Sequence, residues 1–484
     1  MNSYFVTSFG VLLTSIGYLS NAYSASRGDV LVIVIDDVGR ELLSLYDTPA
    51  KVQAKTPNID KLAKRGVTFE NVWGAPLSAP ARAAMLTGRY GYHTGIVELG
   101  IDLPLSETTI FEALPEEYAT GAFGKWHLST HEDFGADYGI DYFAGLASGG
   151  GVRDYYTWRF TENGKSDLCN EYITTKITDK ATAWIDRQKD KPWFCWVAYN
   201  SAHTPYHLPP SGTYTNRKLK YDRESANSNP LPYLIAMIEN LDYEIGRLLK
   251  STNDETTIIL IGDNGTDNNA LQSPYPSRHG KGFLYESGVG IPMVVAGAQV
   301  TNGGGRSDAL ISAVDIFPTV MELTGEKMAT YEDSYSFLPT LSGGSGSRPY
   351  NFSEIINMRM KTHTTALSDG VYKVMTSQGE ITMMFNVKQD PLEQNNLLDS
   401  NLKPMAQAAY AKLSAELSRM NIPIIASKGG EKDPRGNFQQ RGNGARGERG
   451  NGGTNGNIRQ RGNSGNNNND NSYNNSGFNN RSRL

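Results

Sequence analysis

Cysteine is scarce in this sequence: its 484 residues include two, Cys169 and Cys195. Two thiols can form at most one disulfide if the chain is exported, and sequence alone does not show whether their Cα atoms lie close enough. The sequence also lacks a cysteine and histidine cluster with the spacing of zinc or iron–sulfur ligands. Neither a dense disulfide framework nor such a metal cluster holds the fold, but a chain this long can bury a large core.

Long hydrophobic runs are also missing. The longest uncharged apolar stretch, at 5–19, is too short to span a bilayer. Small residues follow it, as at a signal-peptidase site, so we predict a signal peptide at 1–25 and a secreted or periplasmic protein. A buried N-terminal helix is the alternative. No cysteine follows the run, so we expect no stable membrane anchor.

Charge of one sign does not dominate, since the net charge is -5. It is uneven, however: residues 427–484 contain ten Lys and Arg against four Asp and Glu, which leaves the rest of the chain at -11. This tail consists largely of Gly, Asn and Arg. With so few apolar residues it is predicted to be disordered, either as a passive extension or as a tether to a polyanion. Export argues against a nucleic-acid partner.

The body of the chain alternates between strand and helix patterns. Residues 29–37 form a continuous β-branched run typical of a strand buried on both faces, and a helix is predicted from Thr56 to Gly66. Further strands are predicted at 118–123, 193–199, 256–262 and 290–296, with helices at 172–188, 231–250 and 312–325. The pattern predicts an α/β domain at 27–340, with a mostly parallel sheet sandwiched by helices.

Short alternating segments replace this pattern after about residue 340. Strands are predicted at 349–354, 362–368, 371–376 and 381–386, followed by a helix at 402–420. Close spacing favours an antiparallel sheet, so we predict a small α+β subdomain at 341–426.

Polar side chains follow two of the predicted core strands. Asp36 and Asp37 end the first, and Asp263 and Asn264 end the strand at 256–262. Ligands of open α/β sheets bind beyond the carboxyl ends of the strands, and oxygen ligands suit Ca²⁺ or Mg²⁺. If the two strands are neighbours, these residues form a metal site; taken singly, each pair is also consistent with a turn or a helix cap.

The segment 76–89 places Ser78 two residues before Pro80 and four before Arg82. Proline and the apolar residues after it favour a helix that begins near Ser78. A helix N-terminus attracts an anion, and Arg82, one turn later, is placed to hold one.

This segment resembles the signature of the type I sulfatases of the alkaline phosphatase superfamily, Cys/Ser-x-Pro-x-Arg followed by an apolar stretch and Thr-Gly. The resemblance implies that Ser78 is oxidised to formylglycine by a serine-type sulfatase-maturing enzyme. It also implies a Ca²⁺ ion, rather than Mg²⁺, bound by Asp36, Asp37, Asp263, Asn264 and residue 78.

Further motifs of that family follow in order. Residues 124–128 resemble its Gly-Lys-Trp-His-Leu motif, 201–205 its His-x-Pro element, 279–288 its Lys-Gly…Tyr-Glu-Gly-Gly element and 384–397 its closing segment. Ser287 stands where that family usually has Gly. The catalytic residues that the resemblance implies are Ser78, Arg82, Lys125, His127, His203 and Lys281.

The resemblance implies a role for each of these residues. A hydroxyl of the hydrated aldehyde attacks sulfur, with Asp263 as the base, while the three cations Arg82, Lys125 and Lys281 neutralise the sulfate. His203, alone or together with Lys281, protonates the leaving oxygen. His127 deprotonates the second hydroxyl, which expels sulfate and restores the aldehyde.

The expected substrate is a sulfated carbohydrate or polysaccharide. Its candidate contacts are Arg153, Tyr155, Tyr156, Trp158 and His207, which are equally consistent with surface loops and core aromatics. Two rival functions stay open from sequence: a phosphate or phosphonate monoester hydrolase that uses unmodified Ser78, and an inactive relative that binds sulfated glycans.

Overall fold

A computed structural model describes residues 28–326, 332–357 and 362–423. The predicted signal peptide at 1–25 and the predicted disordered tail at 427–484 lie outside these ranges, and both stay predictions. The domain boundaries predicted near residues 340 and 426 also stay predictions.

Fourteen strands in the described ranges form two sheets. They are β1 (Val30–Ile35), β2 (Gly66–Trp73), β3 (Ala119–Lys125), β4 (Tyr142–Leu146), β5 (Trp158–Glu162), β6 (Lys165–Cys169), β7 (Trp193–Ala198), β8 (Thr257–Gly262), β9 (Met293–Ala296), β10 (Gly305–Ser312), β11 (Asn351–Asn357), β12 (Thr362–Ser368), β13 (Tyr372–Ser377) and β14 (Glu380–Asn386).

The α-helices of the same ranges vary from one turn to five. They are α1 (Pro57–Arg65), α2 (Ser78–Thr87), α3 (Gly91–Thr94), α4 (Ile110–Ala113), α5 (Ile173–Ile185), α6 (Arg223–Ser228), α7 (Leu231–Leu248), α8 (Glu286–Val289), α9 (Ile316–Leu323) and α10 (Pro404–Met420).

The larger sheet has the strand order β10-β2-β9-β8-β1-β7-β3-β4-β5-β6. Its five central strands, from β8 to β4, are parallel. Strand β9 pairs antiparallel with both β8 and β2, and the β5–β6 hairpin adds antiparallel strands at the far edge. The predicted mostly parallel α/β sheet is therefore confirmed.

Alternate residues of each central strand face two different hydrophobic clusters. In β1, Val30, Val32 and Val34 pack on the side of α2 and α9, whereas the intervening residues pack on the side of α1, α5 and α7. A strand buried on both faces has no polar alternation, which is why its sequence reads as one apolar run. Continuing the alternation, Asp36 and Asp263 come two residues after Val34 and Ile261, which pack on the side of α2.

The smaller sheet, β11-β12-β13-β14, is antiparallel throughout and packs with α10. Phe352, Leu367, Val374 and Met384 of these strands belong to the same hydrophobic cluster as α2. The predicted antiparallel C-terminal sheet and its helix are confirmed, with boundaries that differ by no more than three residues.

Strands β2, β4, β5, β6 and β10 have no counterpart in the sequence prediction. Strand β2 begins at Gly66 with no intervening turn after α1. Strands β5, β6 and β10 are polar and partly exposed, so they carry neither a buried run nor a regular alternation.

Both cysteines are free thiols in this structure. Cys195 is buried in β7, and Cys169 lies at the end of the edge strand β6. Across 28–326, 332–357 and 362–423, no helix combines the length and hydrophobicity needed to cross a membrane.

A buried lysine connects the smaller sheet to the larger one. Lys373 of β13 is 0% exposed, and its Nζ lies 2.8 Å from Glu393 Oε1 and 3.4 Å from Glu286 Oε1. The same ammonium lies 4.8 Å from the ring centroid of Trp73 in β2. Because Glu286 begins α8, this cluster ties the small sheet to the segment that carries Lys281.

Replacement of Lys373 by Met should lower the free energy of unfolding by about 3–5 kcal/mol, because it leaves the buried carboxylate of Glu393 without its cation. Urea denaturation measures the difference. The matched control is Lys412→Met. Lys412 lies 3.4 Å from Asp369, but its side chain is 53% exposed, so this ion pair contributes about 0–1 kcal/mol. Equal losses in the two variants would contradict this assignment.

Candidate active site

Four neighbouring parallel strands, β8, β1, β7 and β3, end at one edge of the larger sheet. The register pairs Ile35 of β1 with Gly262 of β8, so Asp36 and Asp263 come next on adjacent strands. Lys125 is the last residue of β3, and His203 follows β7. Strand order therefore gathers residues that are far apart in the chain.

The carboxylates of Asp36, Asp37 and Asp263 are buried and offer oxygens that all lie within 4.8 Å of one another. Asn264 is also buried, and its Nδ2 donates to Asp37 Oδ1 at 2.7 Å. Three carboxylates and an amide oxygen form an all-oxygen donor set. This chemistry fits a hard divalent cation, as the sequence predicts.

Three cations accompany these carboxylates. Arg82 Nη2 lies 3.2 Å from Asp263 Oδ2 and 3.6 Å from Asp36 Oδ2, and Lys125 Nζ pairs with Asp36 Oδ2. Lys281 Nζ lies 2.6 Å from Asp37 Oδ1. Each carboxylate therefore has a cationic partner, which offsets their mutual repulsion in a buried place.

Burial and these neighbours shift the carboxyl pKa values in opposite directions. Burial alone would raise the pKa of Asp36, but the charges of Lys125, His203 and Arg82 outweigh it and hold that pKa well below its usual range. Burial and the charge of Asp36 raise the pKa of Asp263 to about 6. Burial also lowers the pKa of Lys125.

Ser78 is the first residue of α2 and points at the carboxylate cluster. Its Oγ lies 3.1 Å from Asp36 Oδ1 and 3.0 Å from Asn264 Oδ1. The serine is buried at a helix N-terminus, where backbone dipoles favour an anion. The carboxylate within hydrogen-bond distance of Ser78 thus belongs to Asp36, whereas Asp263, the expected base, binds Arg82.

Arg82 lies one helical turn after Ser78 and is fully buried. Its Nη1 donates to the backbone oxygen of Lys125 at 3.0 Å, while Nη2 faces the carboxylates. A single guanidinium therefore connects α2, the end of β3 and the end of β8.

His127 has a left-handed backbone, with φ of 64°. A Cβ on Gly150 would approach its ring to 2.5 Å, so a glycine is required to pack there. Burial, together with the charges of Lys125 and Arg82, lowers the pKa of His127 to about 2. His127 is thus an imidazole that stays neutral near pH 7.

The backbone oxygen of the next residue, Thr204, orients His203: it lies 2.8 Å from His203 Nδ1. Its other nitrogen, Nε2, lies 3.9 Å from Asp37 Oδ2. A Cβ on Gly151 would come within 3.1 Å of the ring. The glycine segment 149–151 therefore packs against both histidines.

A cavity of about 460 Å³ opens above these residues. It is lined by Ser78, Leu99, Gly100, Ile101, Asp102, His127, Ser129, Thr130, Ser148, Gly149, Gly150, His203 and Lys281. The structure thus brings all ten predicted catalytic and metal-binding residues to one edge of the sheet, and four of them reach the cavity.

The aromatic candidates for substrate contact lie elsewhere. Tyr155, Trp158 and His207 are buried, and none of the five candidates lines the cavity. The hydroxyl of Tyr155 lies 2.8 Å from the oxygen of Asn200 and 2.6 Å from the oxygen of His203. Tyr155, Trp158 and His207 are therefore core aromatics, which is the alternative that the sequence leaves open for them.

Sequence reasoning missed the cavity wall formed by 99–102, 129–130 and 148–150. These residues lie in loops without hydrophobic periodicity or a motif. The run of three glycines at 149–151 is the one signal that marks a close backbone approach.

Comparison with known proteins found two family models that match this chain. A family model described as "Sulfatase" matches residues 28–326, and one described as "N-sulphoglucosamine sulphohydrolase, C-terminal" matches residues 277–422. Arylsulfatase J of Mus musculus is 26% identical, over 85% of this chain and 79% of that protein. N-acetylglucosamine-6-O-sulfatase of Bacteroides thetaiotaomicron is 22% identical, over 81% and 85%.

The fold is also found in solved structures. The crystal structure of Ps i-CgsB in complex with k-i-k-neocarrahexaose superposes with a TM-score of 0.69 and 24% sequence identity, and the match covers 81% of this chain and 92% of that one. At this identity the likeness shows the fold.

Addition of Ca²⁺ to metal-depleted protein should raise the melting temperature by several degrees, since a ligand at a hundred times its Kd adds about 2.7 kcal/mol of stability. Asp37→Asn should reduce this increase, because it removes a donor from the cluster. Differential scanning calorimetry gives both values. The control is Asp254→Asn, a fully exposed carboxylate; an equal response in the two variants, or none in the unaltered protein, would contradict a metal site here.

Proposed function

The chain belongs to the sulfatase family, and from this membership we propose that it hydrolyses a sulfate ester of a carbohydrate at the cavity above residue 78, after conversion of Ser78 to formylglycine. One observation carries the proposal: Ser78 Oγ lies 3.1 Å from Asp36 and 3.0 Å from Asn264, beside the buried cations Arg82 and Lys125. The family match favours this function over the phosphate ester hydrolase and the inactive glycan-binding relative.

The proposed carbohydrate substrate has two supports. One relative is an N-acetylglucosamine-6-O-sulfatase, and a protein of the same fold was solved with k-i-k-neocarrahexaose. The cavity wall is rich in hydroxyl groups and short side chains, which suits a polar ring. We also propose export of the chain and maturation by a serine-type sulfatase-maturing enzyme.

Asp36, Asp37, Asp263 and Asn264 would hold a divalent cation, for which we propose Ca²⁺, with residue 78 as a further ligand. When present, the cation polarises a sulfate oxygen, and formylglycine supplies the hydroxyl nucleophile of covalent catalysis. The residues fit this ion because every donor is an oxygen and every carboxylate is buried.

Arg82, Lys125 and Lys281 bind the sulfate and stabilise the charge that develops on it. Arg82 and Lys125 are fixed by buried ion pairs, so they need no reorganisation during the reaction. Lys281 is the one Lys or Arg among the residues that line the cavity. Burial opposes its charge, but Asp37, Asp36 and Asp263 raise the pKa of Lys281, which therefore stays protonated.

The two histidines move protons at opposite stages. His203 holds its Nδ1 against the oxygen of Thr204 and lines the cavity, so its Nε2 is placed to protonate the leaving oxygen. This proton matters most for a sugar alcohol, which is a poor leaving group. We assign to His127 the removal of a proton when sulfate is expelled: burial and the charges of Lys125 and Arg82 lower its pKa, so the ring is uncharged and has a nitrogen free to accept a proton.

The tryptic peptide 66–82, from protein produced together with a serine-type maturing enzyme, should be lighter by two hydrogens than its sequence mass. Mass spectrometry locates the change at residue 78. Ser78→Ala should abolish turnover, because alanine cannot be oxidised to the aldehyde. An unmodified serine, with the maturing enzyme active on a control protein, or full turnover by Ser78→Ala would contradict the proposal.

Tyr155→Phe should reduce kcat on a sugar sulfate about tenfold or more, but change little on an aryl sulfate with a good leaving group. The variant removes the hydroxyl that binds the backbone oxygen of His203, so it weakens the positioning of His203 as the proton donor. The aryl sulfate is less affected, because an aryl leaving group needs little protonation. Steady-state kinetics on both substrates test this.

Tyr172→Phe is the matched control, since its buried hydroxyl binds His207 Nε2 at 2.9 Å in the same aromatic cluster. We expect this variant to retain the ratio of the two activities. Equal losses by Tyr155→Phe on both substrates would show a general effect on stability rather than an effect on His203.

A further inference from the structure

The residues that line the cavity have an uneven distribution of charge. Lys281 is the one Lys or Arg that lines it, and it pairs with the same carboxylate cluster as the buried Arg82 and Lys125. The outer wall, formed by 99–102, 129–130 and 148–150, contains one ionisable side chain, Asp102, and no Lys or Arg. Positive charge is thus confined to the end where the sulfate binds.

The carboxylate of Asp102 has few neighbours that offset its negative charge. Its Oδ2 accepts a hydrogen bond from Thr130 Oγ1 at 2.9 Å, and its Oδ1 is shielded from solvent with no hydrogen-bond partner among the described residues. The nearest ionisable nitrogen is His131 Nε2, at 3.8 Å, on a side chain that is 80% exposed and screened by water. Asp102 itself is 36% exposed.

The rest of the outer wall is small, neutral or apolar. Ser129, Thr130 and Ser148 present hydroxyl groups, and the glycines of the wall bring backbone to the surface. Leu99, which is 53% exposed, and Ile101 supply an apolar patch at the same wall. A wall of this kind suits an uncharged ring that has hydroxyl groups at its edge and carbon-bound hydrogens on its face.

We propose that this enzyme acts on a neutral sugar that carries a single sulfate, and that Asp102 is the residue that determines this specificity. The inference rests on the proposed function and narrows its substrate class. Because Oδ1 is shielded from solvent, it is Oδ2 of Asp102 that accepts a hydrogen bond from a free hydroxyl of the ring. A second sulfate or a carboxylate on the same ring is repelled by the negative charge of Asp102, because no Lys or Arg of the outer wall offsets that charge.

The size of the effect follows from charge repulsion across a partly exposed wall. Two like charges about 6 Å apart, at an effective dielectric constant between those of a protein surface and water, disfavour binding about tenfold. The loss of the hydroxyl that would bind Asp102 adds to this discrimination.

The test uses the full chain with formylglycine and Ca²⁺, and a panel of hexoses with one sulfate at each ring position. For the hexose that is hydrolysed, kcat/KM is compared with that of its disulfated counterpart. We expect the unaltered protein to favour the monosulfated sugar by tenfold or more. Asp102→Asn, which keeps the shape and the bond to Thr130, should reduce this ratio about tenfold by raising kcat/KM on the disulfated sugar.

Asp137→Asn is the matched control, because it removes the same charge from an exposed position that does not line the cavity. It should keep the ratio of the unaltered protein. Equal hydrolysis of both sugars by the unaltered protein, or an unchanged ratio in Asp102→Asn, would overturn the specificity while leaving the sulfatase function in place. A lack of turnover on every sugar and on an aryl sulfate would instead overturn the proposed function.

Discussion

The structure depends on a balance of buried charge at one edge of its larger sheet. Asp36, Asp37 and Asp263 are withdrawn from water, and their ion pairs with Arg82, Lys125 and Lys281 offset part of the cost. Each of these charged groups would destabilise the fold if it were buried without a partner of opposite charge. The helix α2, the end of β3 and the segment before α8 therefore have to meet at the ends of β1 and β8.

The smaller sheet takes part in this arrangement from a distance. Its Lys373 pairs with Glu286, which begins α8, five residues after Lys281. The antiparallel sheet therefore fixes one end of the segment that carries the most accessible cation of the cavity. The C-terminal strands thus belong to the support of the site, although none of their residues lines the cavity.

The sequence predicts most of the central sheet because strands buried on both faces, such as β1, carry an unbroken apolar signal. Motif residues such as Ser78, Lys125 and His203 are predicted because their order along the chain matches a family. The polar edge strands and the cavity wall leave no such signal. Asp102 is an ordinary loop aspartate until the fold places it in the wall of the cavity that Ser78 also lines. The buried position of Tyr155 follows from packing that no local pattern encodes.

The strand order also determines when the site comes into existence during synthesis. Asp37 and Asp263 are 226 residues apart, and β1 pairs with strands that are made more than 150 residues later. A ribosome-bound chain that ends before Asp263 lacks two of the metal donors, and one that ends before Lys281 lacks the cation that pairs with Asp37. The metal donors therefore come together only after most of the larger sheet has been made, and closing the long loops between its strands carries much of the entropic cost of assembling the site.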